Sequence, residues 1–330
     1  MRRRQFIKLL GGATVAWPLA ARAQRAGGLP TIAVLGSGAA DSDSSKTQIE
    51  LLDAGMHEAG LELGRDYVFE TRWANSDSSR FPALATELLA LHPAAVVVST
   101  NLAVTTVQNL SRSVPIVDPS LNAPVATGLV TSLSHPGGNV TGVSTMADEL
   151  IFKSIELMRE VLPHVHNVTV MLNPTNPSNP VMLDMVTRQF ASKEPIIDSV
   201  GVRSPADIDV AFAEVARQKP DALLVLTDNS LQGLAETIVA RATAQRVPVF
   251  GSFTLAFARA GALVNYARDQ KEAHYGAARI LKKILAGVSP ADIPIEQPTK
   301  FNLVINLQAA KALGIVIPGT VLARASDVIE

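Results

Sequence analysis

The chain has 330 residues, 47% hydrophobic and 18% charged, with a formal net charge of −1, so nothing in its bulk electrostatics attracts nucleic acid or an acidic membrane surface. The length exceeds a usual single domain of about 100 to 200 residues and points to two lobes with room for large cores. Cysteine is absent, which excludes disulfides, thiolate nucleophiles, cysteine-based metal sites and a lipidated-cysteine anchor.

Arg3-Arg4-Gln5-Phe6-Ile7-Lys8 runs straight into an apolar stretch from Leu9 to Ala20, and Ala21-Arg22-Ala23 supplies a small-x-small cleavage pattern before Gln24. Residues 1–23 therefore read as a Tat-type signal peptide cleaved after Ala23, which places the mature protein in the periplasm. The apolar run is shorter than the roughly 20 residues that span a bilayer, and Gly11, Gly12 and Pro18 interrupt it.

Beyond the signal, short apolar runs alternate with amphipathic stretches, the signature of an α/β fold with parallel sheets. Thr31–Leu35 predicts a buried strand, Lys46–Glu58 a helix ending before Gly60, and Tyr67–Arg72 a second strand. Pro82–Leu91 reads as a helix, Ala94–Val98 as a fully buried strand ending in Ser99-Thr100-Asn101, and Val114–Val117 as a fourth strand. The same order then returns: strand Asn167–Leu172, strand Ile196–Val202, helix Ala206–Ala216, and strand Ala222–Leu226 ending in Thr227-Asp228-Asn229. Arg112–Val117 and Gln245–Phe250 occupy equivalent places, so the chain is duplicated at the scale of a lobe rather than as a short repeat. Ala262–Asn265 adds a strand, 270–285 a long helix, and Pro290–Pro298 a connector. Lys300–Leu307 is extended, and Gln308–Leu313 forms a short helix closed by Gly314.

Two similar α/β lobes with these leftover segments imply that the chain crosses between the lobes more than once. The expected division is 30–145 plus about 262–290 for the first lobe, and 146–261 plus about 291–330 for the second.

Ligands of open parallel sheets sit beyond the carboxyl ends of the strands. The loops there are rich in small hydroxyls and amides: Gly36-Ser37-Gly38, Ser99-Thr100-Asn101 and Asp118–Ala126 in the first half, and Asn173–Asn176, Asp228-Asn229 and Gly251-Ser252 in the second. Such groups suit a carboxylate or an amino group, although helix capping competes for each of them. Gly36-Ser37-Gly38 lacks the third glycine of a dinucleotide fingerprint, and Asp41 stands in its place, where it would repel a pyrophosphate. No cofactor is expected. His164-x-His166 has no acidic companion nearby in sequence and reads as a surface turn rather than a metal site. Aromatic residues are 5% of the chain; Trp73 reads as core, whereas Tyr266, at a strand end, is a candidate for the cleft. No catalytic constellation emerges, so an enzyme is not expected.

Pro136-Gly137-Gly138-Asn139-Val140-Thr141-Gly142-Val143-Ser144 resembles the ABC-transporter substrate-binding protein family of the tryptophan/tyrosine type. Similar blocks lie at Tyr67–Asn75, Arg80–Ala85, Asn173–Pro177, Ala222–Leu226 with Asp228, and Glu296–Leu307, so the resemblance covers essentially the whole chain. It implies a type I periplasmic-binding fold of two Rossmann-like lobes with parallel sheets and three crossovers. It also implies closure on a small amino-acid-like ligand, which is delivered to a membrane permease by a monomer. A ligand site built from Ser37, Ser99, Thr100, Asn101, Asn122, Ala123, Asn173, Asp228, Asn229, Gly251 and Tyr266 follows from the loops and the resemblance together. Ser37 and the Ser99-Thr100-Asn101 turn are expected to hold the ligand carboxylate, Asp228 its amine and Tyr266 its side chain. One departure stands out: where the family commonly has Gly-Asp-Pro-Val-Gly, this chain reads Asn122-Ala123-Pro124-Val125-Ala126. A carboxylate able to meet a ligand amine is thereby lost from the first lobe. A periplasmic sensor that docks on a receptor is the alternative reading, and a nucleotide-cofactor enzyme a distant one.

Overall fold

A computed structural model describes residues 28–75, 77–252 and 255–330; the expected signal, 1–23, lies outside them. Two mostly parallel sheets are present, one of five strands in the order β2-β1-β3-β4-β5 and one of seven in the order β12-β11-β10-β9-β8-β6-β7.

The first sheet comprises β1 (Thr31–Gly36), β2 (Val68–Trp73), β3 (Ala95–Val98), β4 (Ile116–Leu121) and β5 (Val140–Ser144). Helices α1 (Asp43–Glu58), α2 (Phe81–Leu89) and α3 (Asn101–Leu110) return the chain between strands. β3 and β4 are buried along their whole length, because helices cover both faces; the all-apolar β3 fills two cores, whereas β4 also buries Asp118 and Ser120. One core joins Leu35, Leu84, Leu88 and Val104; the other joins Ile32, Leu52, Met56 and Leu281.

The chain then passes through α4 (Ala147–Val161) into the second sheet. There it forms β6 (Asn167–Leu172), α5 (Ser178–Gln189), β7 (Ile196–Gly201), α6 (Ile208–Gln218) and β8 (Ala222–Val225). Next come α7 (Asn229–Gly233), α8 (Ala235–Ala244), β9 (Val249–Ser252), α9 (Ala256–Arg259) and β10 (Val264–Arg268). The order β7-β6-β8-β9-β10 repeats β2-β1-β3-β4-β5 strand for strand, which is the duplication visible in the sequence. Helix α10 (Gln270–Leu285) returns to the first lobe, where Ala273, Ala277, Ala278 and Leu281 pack with Ile32 and Leu52. Finally β11 (Phe301–Asn306), α11 (Leu307–Leu313), α12 (Gly319–Leu322) and β12 (Asp327–Ile329) complete the second lobe, and α11 stops at Gly314, whose φ of 73° needs glycine.

Three crossovers therefore join the lobes, after β5, after β10 and before β11. Two expected boundaries are corrected. The strand placed in the first lobe, from about 262, belongs to the second sheet: β10 is parallel to β9 and antiparallel to β11. A strand's apolar pattern does not say which neighbour receives its hydrogen bonds, so the crossover falls after Arg268. Conversely, much of the Pro290–Pro298 connector stays with the first lobe. Ile293 and Ile295 are buried in its two cores, and Ser144 N–H donates to the carbonyl of Glu296 at 2.8 Å. The prolines concealed an alternating apolar edge that pairs with β5.

Glycine at position 36 is required by packing, because a Cβ there would collide with the Trp73 indole. This packing accounts for the glycine at the end of β1 without a phosphate ligand. Trp73, expected in the core, is only half-buried, with its indole against Gly36 at the edge of the first sheet.

Candidate functional site

A cleft of about 470 Å³ opens between the lobes at the carboxyl ends of the strands, within the usual range of small-ligand pockets. From the first lobe it is lined by Ser37, Gly38, Ser42, Ser45, Gln48, Ser78, Phe81 and Thr100, and from the second by Asn173, Thr175, Asn176, Arg203, Asp228, Asn229 and Gln232, among others.

Capping explains how several of these groups are held. Ser42 accepts from Ser45 N–H at 3.2 Å at the start of α1, and Thr100 accepts from Ala103 N–H at 3.1 Å at the start of α3. Asp228 caps α7 by accepting from Leu231 N–H at 3.0 Å, and it also takes the Asn176 amide at 2.9 Å and the Asn173 amide at 3.3 Å. Asn173 is fixed in turn, since its Oδ1 accepts from the backbone and hydroxyl of Thr175 at 3.0 and 2.7 Å. The floor is thus a carboxylate with its orientation set by two amides and a helix N–H. The Asn173 amide spans both oxygens, at 3.3 and 3.4 Å, so the three donors occupy the roughly four acceptor positions of the carboxylate, two of them through long contacts.

Asn229 does something different: its Nδ2 donates across the cleft to Ser37 Oγ at 3.2 Å and to the carbonyl of Ser99 at 3.4 Å. The two lobes touch directly through this side chain.

Of the residues expected from the sequence, Ser37, Thr100, Asn173, Asp228 and Asn229 line the cleft, whereas Ser99, Asn101, Asn122, Ala123, Gly251 and Tyr266 are not among its lining residues. Asn101 is buried and acts as a clasp, donating to the carbonyl of Asn122 at 2.7 Å and accepting from its N–H at 3.1 Å. The Asn122 side chain accepts from Thr145 at 2.6 Å, and Ala123 holds a left-handed φ of 41° in the turn that follows. Gly251 is interior, because a Cβ there would press on Asn265 and Phe257. Tyr266 stacks on Phe301 with centroids 5.7 Å apart and packs against the second lobe's core; strand alternation turned it away from the cleft. Phe81 is the aromatic residue of the lining.

Arg203 and Gln48 were not anticipated. The duplication held a signal for Arg203: it follows β7 as the segment with Ser78 and Phe81 follows β2, and all three line the cleft. Away from the cleft, His166 pairs with Glu194 at 2.8 Å on the surface. No group of three or more potential metal ligands occurs among the described residues.

Behind the cleft, Asp118 on β4 and Arg268 at the end of β10 are both buried and interact electrostatically across the lobe boundary. Burial pushes the Asp118 carboxyl up to about 7, against the Ser120 N–H at 2.6 Å and the Arg268 charge, which pull it down. Burial likewise lowers Arg268 to about 10, opposed by Asp118, Asp269 and Glu272. His274, buried on α10 and bonded to the carbonyl of Gln270 at 2.8 Å, is lowered to about 4 by desolvation and by the charge of Arg268.

The model of the family described as ABC transporter substrate binding protein matches residues 34–329. A tyrosine-binding protein of Clostridioides difficile (strain R20291) is 26% identical over 62% of this chain, and the match spans 58% of that relative's length. The chain is also similar to a conserved domain protein from Vibrio cholerae, with a TM-score of 0.82 and 27% identity over 91% of this chain and all (100%) of the other. A Streptococcus pneumoniae ABC domain solved in complex with L-Trp shares the fold, with a TM-score of 0.81 and 24% identity over 92% of this chain and 100% of that one.

Proposed function

The chain belongs to the ABC transporter substrate-binding protein family, and from that premise we propose that it is an exported solute-binding protein. It closes on a small amino-acid-like ligand and delivers it to the permease of an ABC importer, working in the periplasm without chemistry on the ligand. The observation that carries the amino-acid reading is the pairing of unlike groups across one cleft. Asp228 faces it from the second lobe, and the hydroxyls of Ser37 and Thr100 line it from the first. An ammonium group fits Asp228 by taking over the long Asn173 contacts, and a carboxylate fits the hydroxyls, so an α-amino acid would bridge the lobes. A ligand that touches both lobes binds the closed form better than the open one and shifts the equilibrium between them by that difference. The permease would then meet a shape that signals occupancy. The relatives named for tyrosine and solved with L-Trp support an amino-acid ligand class, and Phe81 offers an aromatic edge in the lining.

Isothermal titration of the protein from Gln24 onward against the common amino acids is expected to show heat from at least one. Asp228→Ala is expected to weaken that ligand at least about 30-fold, the scale of a charge-assisted contact of about 2 kcal/mol. No heat from any amino acid refutes the amino-acid reading, and wild-type affinity in Asp228→Ala removes the role of Asp228.

A further inference from the structure

We infer that Arg203 is a specificity-determining residue that reads a second, distal anionic group of the ligand, so that the solute is an acidic amino acid rather than a neutral one. This rests on the amino-acid reading above and concerns the far end of the same cleft.

Two charged side chains occur in the lining, Asp228 and Arg203. They stand apart. Asp228 follows β8 and Arg203 follows β7, and β6 lies between these strands in the sheet. Two interstrand spacings separate the loops by roughly 10 Å. The ammonium and carboxylate of an α-amino acid are attached to one carbon, so a head group anchored at Asp228 with its carboxylate on the first-lobe hydroxyls does not also occupy Arg203. Whatever meets Arg203 belongs to the ligand's other end.

The position of Arg203 agrees with this. β7 ends the second sheet and β2 ends the first, so the loops that follow them face each other at the outer rim, away from the crossovers. Ser78 and Phe81, which follow β2, line the cleft together with Arg203. A side chain extending from the floor toward the rim would pass the edge of Phe81 and end beside the guanidinium.

Arg203 is also available. Its backbone N–H donates to Asp207 at 2.8 Å, and Asp207 is further engaged by Ser204 N–H at 3.1 Å, closing the turn before α6. Among the described residues the guanidinium takes part in no hydrogen bond or close ion pair, and its charge is only partly balanced by Asp207, whose carboxyl the Arg203 N–H and that charge help to hold below its ordinary value. A guanidinium presents donors in a planar fork that matches a carboxylate bidentately. At an exposed rim such a contact is screened by salt.

The test compares acids with their uncharged amides: L-glutamate against L-glutamine, and 4-carboxy-L-phenylalanine against 4-carbamoyl-L-phenylalanine, by isothermal titration. The wild-type protein is expected to prefer the acid of at least one pair by about tenfold or more, and the preference should shrink as sodium chloride is added. In Arg203→Gln the acid-to-amide ratio should fall to about one, while Arg203→Lys should retain part of it. The inference is overturned if neither pair shows a preference, or if the preference survives in Arg203→Gln. It is also overturned if Arg203→Gln weakens acid and amide equally, which would place the α-carboxylate there instead. Silence from all four probes, with heat from another amino acid, overturns this inference alone; silence from every amino acid removes the reading beneath it as well.

Discussion

Asp118→Asn tests the electrostatics of the lobe boundary most directly. A carboxyl whose pKa is 3.8 in its ordinary state and about 7 in the fold is penalised by about 4 kcal/mol when the folded protein must ionise it, at about 1.4 kcal/mol for each pH unit between those values. The folded state holds that proton more tightly than the unfolded chain, so this contribution to stability is complete below about pH 4 and is lost as the pH rises to about 7. His274 acts in the opposite direction. Its pKa falls from 6.5 to about 4 in the fold, so its contribution is present above about pH 6.5 and is lost as the pH falls toward 4. From pH 4.5 to 6.5 the two slopes nearly cancel, and their contribution to the parent's stability should be flat. Asn at 118 keeps an acceptor for the Ser120 N–H and removes the titration. The variant should therefore gain up to about 1.4 kcal/mol of stability per pH unit, relative to the parent, across that window. His274→Gln should lose stability over the same window. The absolute level at pH 8 mixes relief of the Asp118 penalty with loss of a counter-charge for Arg268, so the slope is the measurement. Urea unfolding at pH 4.5, 5.5, 6.5 and 7.5 reads it, and an Asp118→Asn profile parallel to the parent's would refute the reasoning.

Asn229→Ala removes two direct hydrogen bonds between the lobes. At about 1 kcal/mol net for such a bond, the unliganded protein should move toward the open form about fivefold or more, seen as a larger radius of gyration in small-angle scattering. An unchanged radius contradicts the latch. Gly142 has a φ of 155°, and a Cβ there would collide with the Asp118 backbone, so Gly142→Ala should cost about 3 kcal/mol or more in urea unfolding. A loss below about 1 kcal/mol would show that the β4–β5 junction yields. Asp228→Ala and the Arg203 variants address the cleft itself, by titration as described above.

Much of this protein was legible before any coordinates. Apolar runs such as Ala95–Val98 and Asn167–Leu172 located buried strands, because a strand covered on both faces has no polar side to show. Gly314 marked the end of α11, because glycine adopts a left-handed turn at low cost. The repetition of strand and loop types announced two lobes, and the hydroxyl, amide and carboxylate residues after β1, β3, β6 and β8 marked five side chains that line the cleft. Family membership was also written in blocks spread along the chain. Tertiary structure decided the rest. Strand pairing is a relation between distant segments, so the sequence pattern that revealed β10 could not say that β9 and β11 hold it in the second lobe. Prolines hid the edge at Ile293 and Ile295 for a similar reason, since its hydrogen bonds run to β5. Orientation separated Tyr266 and Gly251 from the cleft: a strand's faces alternate, and which face is outward depends on what packs against each. Arg203 became a cleft residue, and Asn229 a bond between lobes, only when the carboxyl ends of the two sheets faced each other across one cleft, because the charge and reach of a side chain acquire meaning from the surface it faces.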